Sequence, residues 1–169
     1  MDRRYLKNAI ELSKESIAIG GFPVGALIVF NGKITGKGLS NGKQLKDATS
    51  HAEIVAIREA SQILNRRDLT GTIIYSSLEP CLMCFSASYW AGVSRIVYAC
   101  SKDKVSKQHY EGLHNLEELN QKNNRPIELV HLSELEGEAL AIIENWEKGR
   151  TETSLQKSVL EQKIFNRSI

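Results

Sequence analysis

The stretch SLEPCLMCFSASYWAG, residues 77–92, decides how this chain is read. Two cysteines stand three apart, directly behind Pro80, at the head of an apolar run. Helical i,i+3 geometry suits a disulfide poorly, whereas two thiolates on one helix face suit a metal. Pro80 fits a helix start, where its missing N–H costs nothing. Peptide N–H groups and the helix dipole at that start favour thiolates at Cys81 and Cys84. A metal needs further ligands, and the rest of the chain is where they must be found.

The length of 169 residues favours one domain with a real core, and 41% hydrophobic with 25% charged residues is ordinary for a globular protein. The net charge of +2 excludes a global polycation of the kind that binds nucleic acid by charge alone. The charge is unevenly spread: residues 1–100 hold 12 basic and 8 acidic residues (+4), and residues 101–169 hold 10 and 12 (−2). Three cysteines cannot all pair within one chain. With no secretory segment at the amino end, the expected compartment is a reducing cytoplasm. Nothing approaches the ~20 apolar residues of a membrane span, so no membrane partner is expected.

Residues 2–18 read as an amphipathic helix with Leu6, Ala9, Ile10 and Ile17 near one face, stopped by Gly20 and Gly21. PVGALIVF (23–30) reads as a buried strand, NGK (31–33) as a hairpin turn and KITGKGLS (33–40) as its partner strand. HAEIVAIREASQIL (51–64) reads as a helix with Ile54, Ile57, Ala60 and Leu64 inward. Further strands are expected over 72–77, 94–100 and 126–132, with helices over 81–91 and 134–149. The tail, 151–169, adds another helical piece beyond a domain at 1–150. This order predicts an α/β fold: three layers, α/β/α, around a mixed five-stranded sheet. Residues 101–125 are long enough for a crossover that makes the last two strands parallel.

Ligand sites in open α/β sheets form outside the carboxyl ends of strands. The helices opening at His51 and at Cys81 are both expected at such an edge. His51, Cys81 and Cys84 leave a fourth tetrahedral position for water, and an open position marks a catalytic zinc. Glu53 lies two residues beyond His51, so both side chains reach one ion's neighbourhood only if His51 sits at the very first turn. Glu53 is then placed for general acid–base work.

The pattern H-x-E followed by P-C-x-x-C is the signature of the zinc deaminases. With FPVGALIV, with Asn41 ten residues before HAEIVAIREA, and with SLEPCLMC, the chain resembles the cytidine deaminase-like superfamily. Within it, the chain is similar to the branch that holds guanine deaminases, cytosine deaminases and tRNA adenosine deaminases. The similarity covers about residues 1–100. YWA (89–91) resembles guanine deaminases, and PVGA (23–26) resembles tRNA adenosine deaminases.

The resemblance implies Zn2+ held by His51, Cys81 and Cys84, with Glu53 as proton shuttle. It further implies that Asn41 bonds the base or its sugar, and that Ala52 and the Phe22–Ala26 segment wall the base pocket. QHYEGLH (108–114) stands where guanine deaminases carry an acidic element, with Glu111 in the place of that contact. Trp90 is read as lining the pocket from behind. Cys100 is read as a buried thiol, His109 and His114 as surface residues, His131 as a strand histidine with its bonds satisfied, and Trp146 as packing. A second reading of Trp146 has the tail of one subunit covering its neighbour's pocket.

Three functions stay open on these residues. The first is zinc-dependent hydrolytic deamination of a nucleobase or nucleoside, guanine foremost, with release of ammonia. The second is a tRNA adenosine deaminase, for which the basic tail segments KGR, QK and NR would grip phosphate. The third is a zinc-stabilised scaffold without turnover, which Cys100 would close as a fourth ligand. A homodimer is implied by the family, and the small residues Ser86, Ala87 and Ser88 allow close helix approach.

Overall fold

The computed structural model describes the backbone of residues 1–112 and 114–167, and the side chains of these through Thr151. Along the chain the elements are α1 (Asp2–Ala18), β1 (Gly25–Phe30), β2 (Lys33–Leu39), α2 (Gly42–Leu45), α3 (Ala52–Ile63) and β3 (Ile73–Leu78). They continue with α4 (Leu82–Ala91), β4 (Arg95–Cys100), α5 (Leu116–Gln121), β5 (Glu128–His131) and α6 (Glu136–Arg167). The sheet order is β2-β1-β3-β4-β5, antiparallel across the first three strands and parallel from β3 to β5. The expected mixed five-stranded sheet and its parallel last pair are therefore present. Among the described residues, no helix is long and apolar enough to cross a membrane.

Asn31 and Gly32 both take positive φ, as a two-residue type I′ hairpin turn requires, and so join β1 to β2. Pro23 and Val24 stand outside β1, and the carbonyl of Val24 bonds to the buried Ser16 hydroxyl instead of a strand. β5 is shorter than expected because the backbone N–H and C=O of Ile127 are taken by the Asn120 side chain. The short α2 escaped the sequence reading. Where two helices were expected after residue 134, α6 runs without a break through residue 150. The basic side chains of the tail beyond Thr151 lie outside the described residues.

Helices α1 and α6 cover one face of the sheet, and α3 and α4 the other. The inward seam of α3 differs from expectation. Ala52, Ala56 and Ala60, four apart, are fully buried, while Ile57 and Leu64 are only partly so. The partners explain this. A Cβ at Gly38 would collide with the Ala52 carbonyl, and one at Gly36 with that of Ala56. Glycines two apart share one face of β2, so helix backbone rests directly on strand backbone. Gly38→Ala is expected to destabilise by about 1–3 kcal/mol through overpacking and to displace the start of α3. Calorimetry together with zinc content would read both effects.

On β3, alternation sends Tyr75 towards α1 and Ser76 towards α3. The Tyr75 hydroxyl donates to Asp2 at 2.7 Å, and Arg95 holds the other Asp2 oxygen at 2.9 Å. Burial alone would raise the Asp2 carboxyl, but the hydrogen bonds from Tyr75 and Arg95 outweigh it and hold it below the usual range. A carboxyl lowered on folding contributes stability that is complete above its unfolded pKa, about 3.9, and is lost as pH falls through the lowered value. Asp2→Asn should cost about 1 kcal/mol at neutral pH, with the gap to wild type closing as pH falls through the lowered Asp2 pKa. Urea denaturation across that range checks the sign.

Candidate active site and metal centre

Both helix starts lie at the edge the sequence indicated. β3 ends at Leu78, and Glu79 and Pro80 turn the chain into α4. His51 is the N-cap of α3 (φ −75°, ψ 157°) and Cys81 the N-cap of α4 (φ −66°, ψ 167°). An extended N-cap turns its side chain away from the helix axis while its carbonyl already accepts the first helical bond. That is why His51 and Glu53, two apart, reach one place.

His51 Nδ1 lies 3.6 Å from Cys81 Sγ and 3.6 Å from Cys84 Sγ, and the three donor atoms all fall within 4.8 Å of one another. Ligands at zinc's usual Zn–N and Zn–S lengths, spread at a tetrahedral angle, stand about 3.6 Å apart on an N···S edge. The donor set therefore fits zinc in type and spacing. Cys84 is buried and Cys81 half-buried. A hydrogen bond from Cys84, against the opposing effect of burial and with help from His51, holds the Cys81 thiol down to about 5. The Cys84 thiol is pushed up by its bond to Cys81 and by burial, and His51 is raised by its bond to Cys81. Cys100 is buried and donates to the Ser101 carbonyl at 3.5 Å, outside the donor cluster.

Glu53 is 4% exposed. Its Oε1 accepts from the Ser76 hydroxyl at 3.0 Å, and its Oε2 accepts from Cys84 Sγ at 3.4 Å. Burial, with the nearby Cys81, pushes the Glu53 carboxyl above its usual range, and the Ser76 bond partly offsets this. The carboxyl faces a cavity of about 210 Å3 lined by Phe22, Val24, Ser40, His51, Ala52, Leu78, Glu79, Cys81, His109 and Tyr110.

The profile of the cytidine and deoxycytidylate deaminase zinc-binding region matches residues 1–100. The chain belongs to that family. It is 42% identical over 106 residues to the tRNA-specific adenosine deaminase of Buchnera aphidicola subsp. Baizongia pistaciae, covering 63% of this chain and 65% of that one. It is 38% identical over 108 residues to the guanine deaminase of Bacillus subtilis, covering 63% and 69%. The alignment thus spans about two thirds of these relatives, and just under that for the first. Among solved structures, a guanine deaminase from Nitrosomonas europaea superposes with a TM-score of 0.74 at 25% identity, over 84% of this chain and 82% of that one.

Of the residues expected at the substrate, Phe22 and Ala52 line the cavity. Asn41 is not among the lining residues, and its Oδ1 accepts from the Ser50 hydroxyl at 2.7 Å. Glu111 accepts from the Leu82 N–H at 2.5 Å and so caps the start of α4. Trp90 is not at the cavity: it is 77% exposed on the outer side of α4. His131 stacks on Tyr98 within the strand region, as read, and His114 is exposed. His109 is the reverse of the expectation, because it forms cavity wall and packs 4.9 Å from Phe22. Trp146 of this same chain meets Phe22 edge-on at 5.2 Å, so α6 closes over its own site. Neither residue carried a local signal, since both are placed by contacts across the fold.

Purified family member of this kind should carry one zinc per chain by elemental analysis. Cys84→Ser should weaken zinc retention against a chelator by at least the ~10–100-fold that loss of an outer-shell partner costs. Cys100→Ser should leave it unchanged.

Proposed function

We propose that the chain is a zinc-dependent hydrolase that deaminates a free nucleobase, guanine foremost, with release of ammonia. The observation that carries this reading is the small cavity with the donor cluster and Glu53 in its wall and Phe22 and His109 opposite as aromatic cover. Its volume, about 210 Å3, lies below the ~300–1,000 Å3 of drug-sized ligand sites. That size favours a bare base over a nucleoside.

His51, Cys81 and Cys84 would hold the zinc. When bound, zinc supplies Lewis-acid activation of water near neutral pH. Glu53 takes the proton from the attacking water at Oε2, which would be released from its Cys84 bond once that thiol is a deprotonated zinc ligand, while Oε1 stays with the Ser76 hydroxyl. The same carboxyl returns protons to the ring nitrogen and to the leaving amine, so that water and an amidine carbon give a carbonyl and ammonia. Phe22 and Ala52 fix the plane of the base. Asn41, through Ser50, holds the approach to His51.

Glu53→Gln is expected to keep zinc and lose turnover by about 10²–10⁴-fold. Ammonia release over a panel of bases and nucleosides is the measurement. Wild-type protein with zinc bound and silent on every base would end this reading, and equal turnover in Glu53→Gln would favour the scaffold.

A second reading, a tRNA adenosine deaminase, has its own support in the Buchnera relative and in an open cleft of about 890 Å3 that runs from His51 past Lys43 to Arg150. Inosine formed in an anticodon stem-loop, with salt-sensitive RNA binding, is its test.

We further infer that α4 pairs with a second copy of this chain. The helix is apolar on all sides, as a helix buried on all sides is, yet Trp90 stands in water. Trp90→Glu should shift the sedimentation coefficient from dimer to monomer with zinc content unchanged. A monomeric wild type would refute it.

A further inference from the structure

Residues 109–111 cross the cavity wall as a strap, and three consecutive side chains tie it to three different elements. His109 Nε2 stands 2.6 Å from a carboxylate oxygen of Glu147 on α6. The Tyr110 hydroxyl donates to the Glu79 carbonyl at 2.6 Å, beyond the end of β3. Glu111 accepts from the first turn of α4. The latter two bonds hold backbone and helix start. The first holds a ring that lines the cavity, set between Phe22 and Trp146 with centroid distances of 4.9 and 6.1 Å.

A carboxylate only accepts, so the nitrogen facing Glu147 is the protonated one. With one proton on the ring, the lone pair is at Nδ1, for which there is no partner among the described residues. The side chain is only 15% exposed. The His109 ring, which lines the cavity, thus keeps one acceptor atom unused while its orientation is fixed from behind. Fixing one ring nitrogen so that the other meets a ligand in a single tautomer is a general use of histidine. An acceptor placed this way selects a ligand N–H, because a ligand without one leaves the acceptor buried and unmet.

We propose that His109 reads the substrate through Nδ1, accepting a hydrogen bond from a ring or exocyclic N–H of the base, and that Glu147 is its positioning residue. The assignment rests on the deaminase reading above. It makes α6 part of the specificity apparatus as well as a cover.

The test uses zinc-loaded full-length protein and ammonia release on free purine and pyrimidine bases, with isosteres in which one N–H is replaced by C–H. His109→Phe keeps an aromatic ring between Phe22 and Trp146 but removes Nδ1. For the preferred base KM should rise about tenfold while kcat stays within about threefold. The isostere that lacks the recognised donor should be used equally by wild type and variant. Glu147→Gln still offers an oxygen to Nε2–H and should keep KM within about twofold, while Glu147→Leu should match His109→Phe. Melting temperature and zinc content confirm that each variant is folded. An active wild type with an indifferent His109→Phe overturns this assignment alone. Equal losses on every base and isostere also overturn it, since they mark a purely structural role. A wild type inactive on all bases removes the deaminase reading and this assignment together.

Discussion

The contact between the Ala52 backbone and the bare face of Gly38 is the constraint on which the site depends. It lets α3 lie on β2 at backbone distance and fixes where the helix begins. His51 is the residue just before that start. Beyond the end of β3, Pro80 leads into α4, with Cys81 as its N-cap. Two helix starts are thereby brought together at one sheet edge. Their extended N-cap residues face each other across 3.6 Å, the edge length of a zinc tetrahedron. Side chains alone could not hold that spacing. Two helices clamped to a rigid sheet can.

The same architecture keeps polar groups dry without leaving them unpaired. β3 is the central agent. Ser76 holds Glu53 on one face, while on the other Ser77 accepts the N–H of Gly25 and Tyr75 engages Asp2. Ser16 of α1 donates to Val24 and accepts from Ser40, joining both ends of the β1–β2 hairpin beside the cavity. Among the described residues, no buried side-chain nitrogen or oxygen lacks a partner. Buried networks satisfied to this degree specify one arrangement, which a site built on tenths of an ångström requires.

The clustered donors and the far wall of the cavity occupy different parts of the chain. The family match ends at residue 100, and the three clustered donors His51, Cys81 and Cys84, together with Glu53, lie before it. His109, Tyr110, Trp146 and Glu147, which shape the other side of the cavity, lie after it. Relatives named for a free base and for a tRNA each align over 63% of the chain.

What the sequence by itself determined was whatever is encoded at short range. Strand and helix alternation, the Asn31-Gly32 turn, the Cys81/Cys84 pair behind Pro80 and the His51/Glu53 pair are local patterns, and a donor's chemistry is readable wherever it stands. Other features were decided only by the tertiary structure. Ile57 and Leu64 looked like part of the inner face of α3, but the strand beneath had no side chains to accept them, and Ala52 and Ala56 join Ile54 and Ala60 as its buried residues. Ser13 and Ser16 look like a polar face, yet their hydroxyls find backbone carbonyls and they are buried. Trp90 looks like core and stands in water. His109 looks like surface and forms the cavity wall, because its partner is 38 residues away on α6. A contact between distant segments leaves no periodicity in either one, and it exists only once the sheet has set both in place.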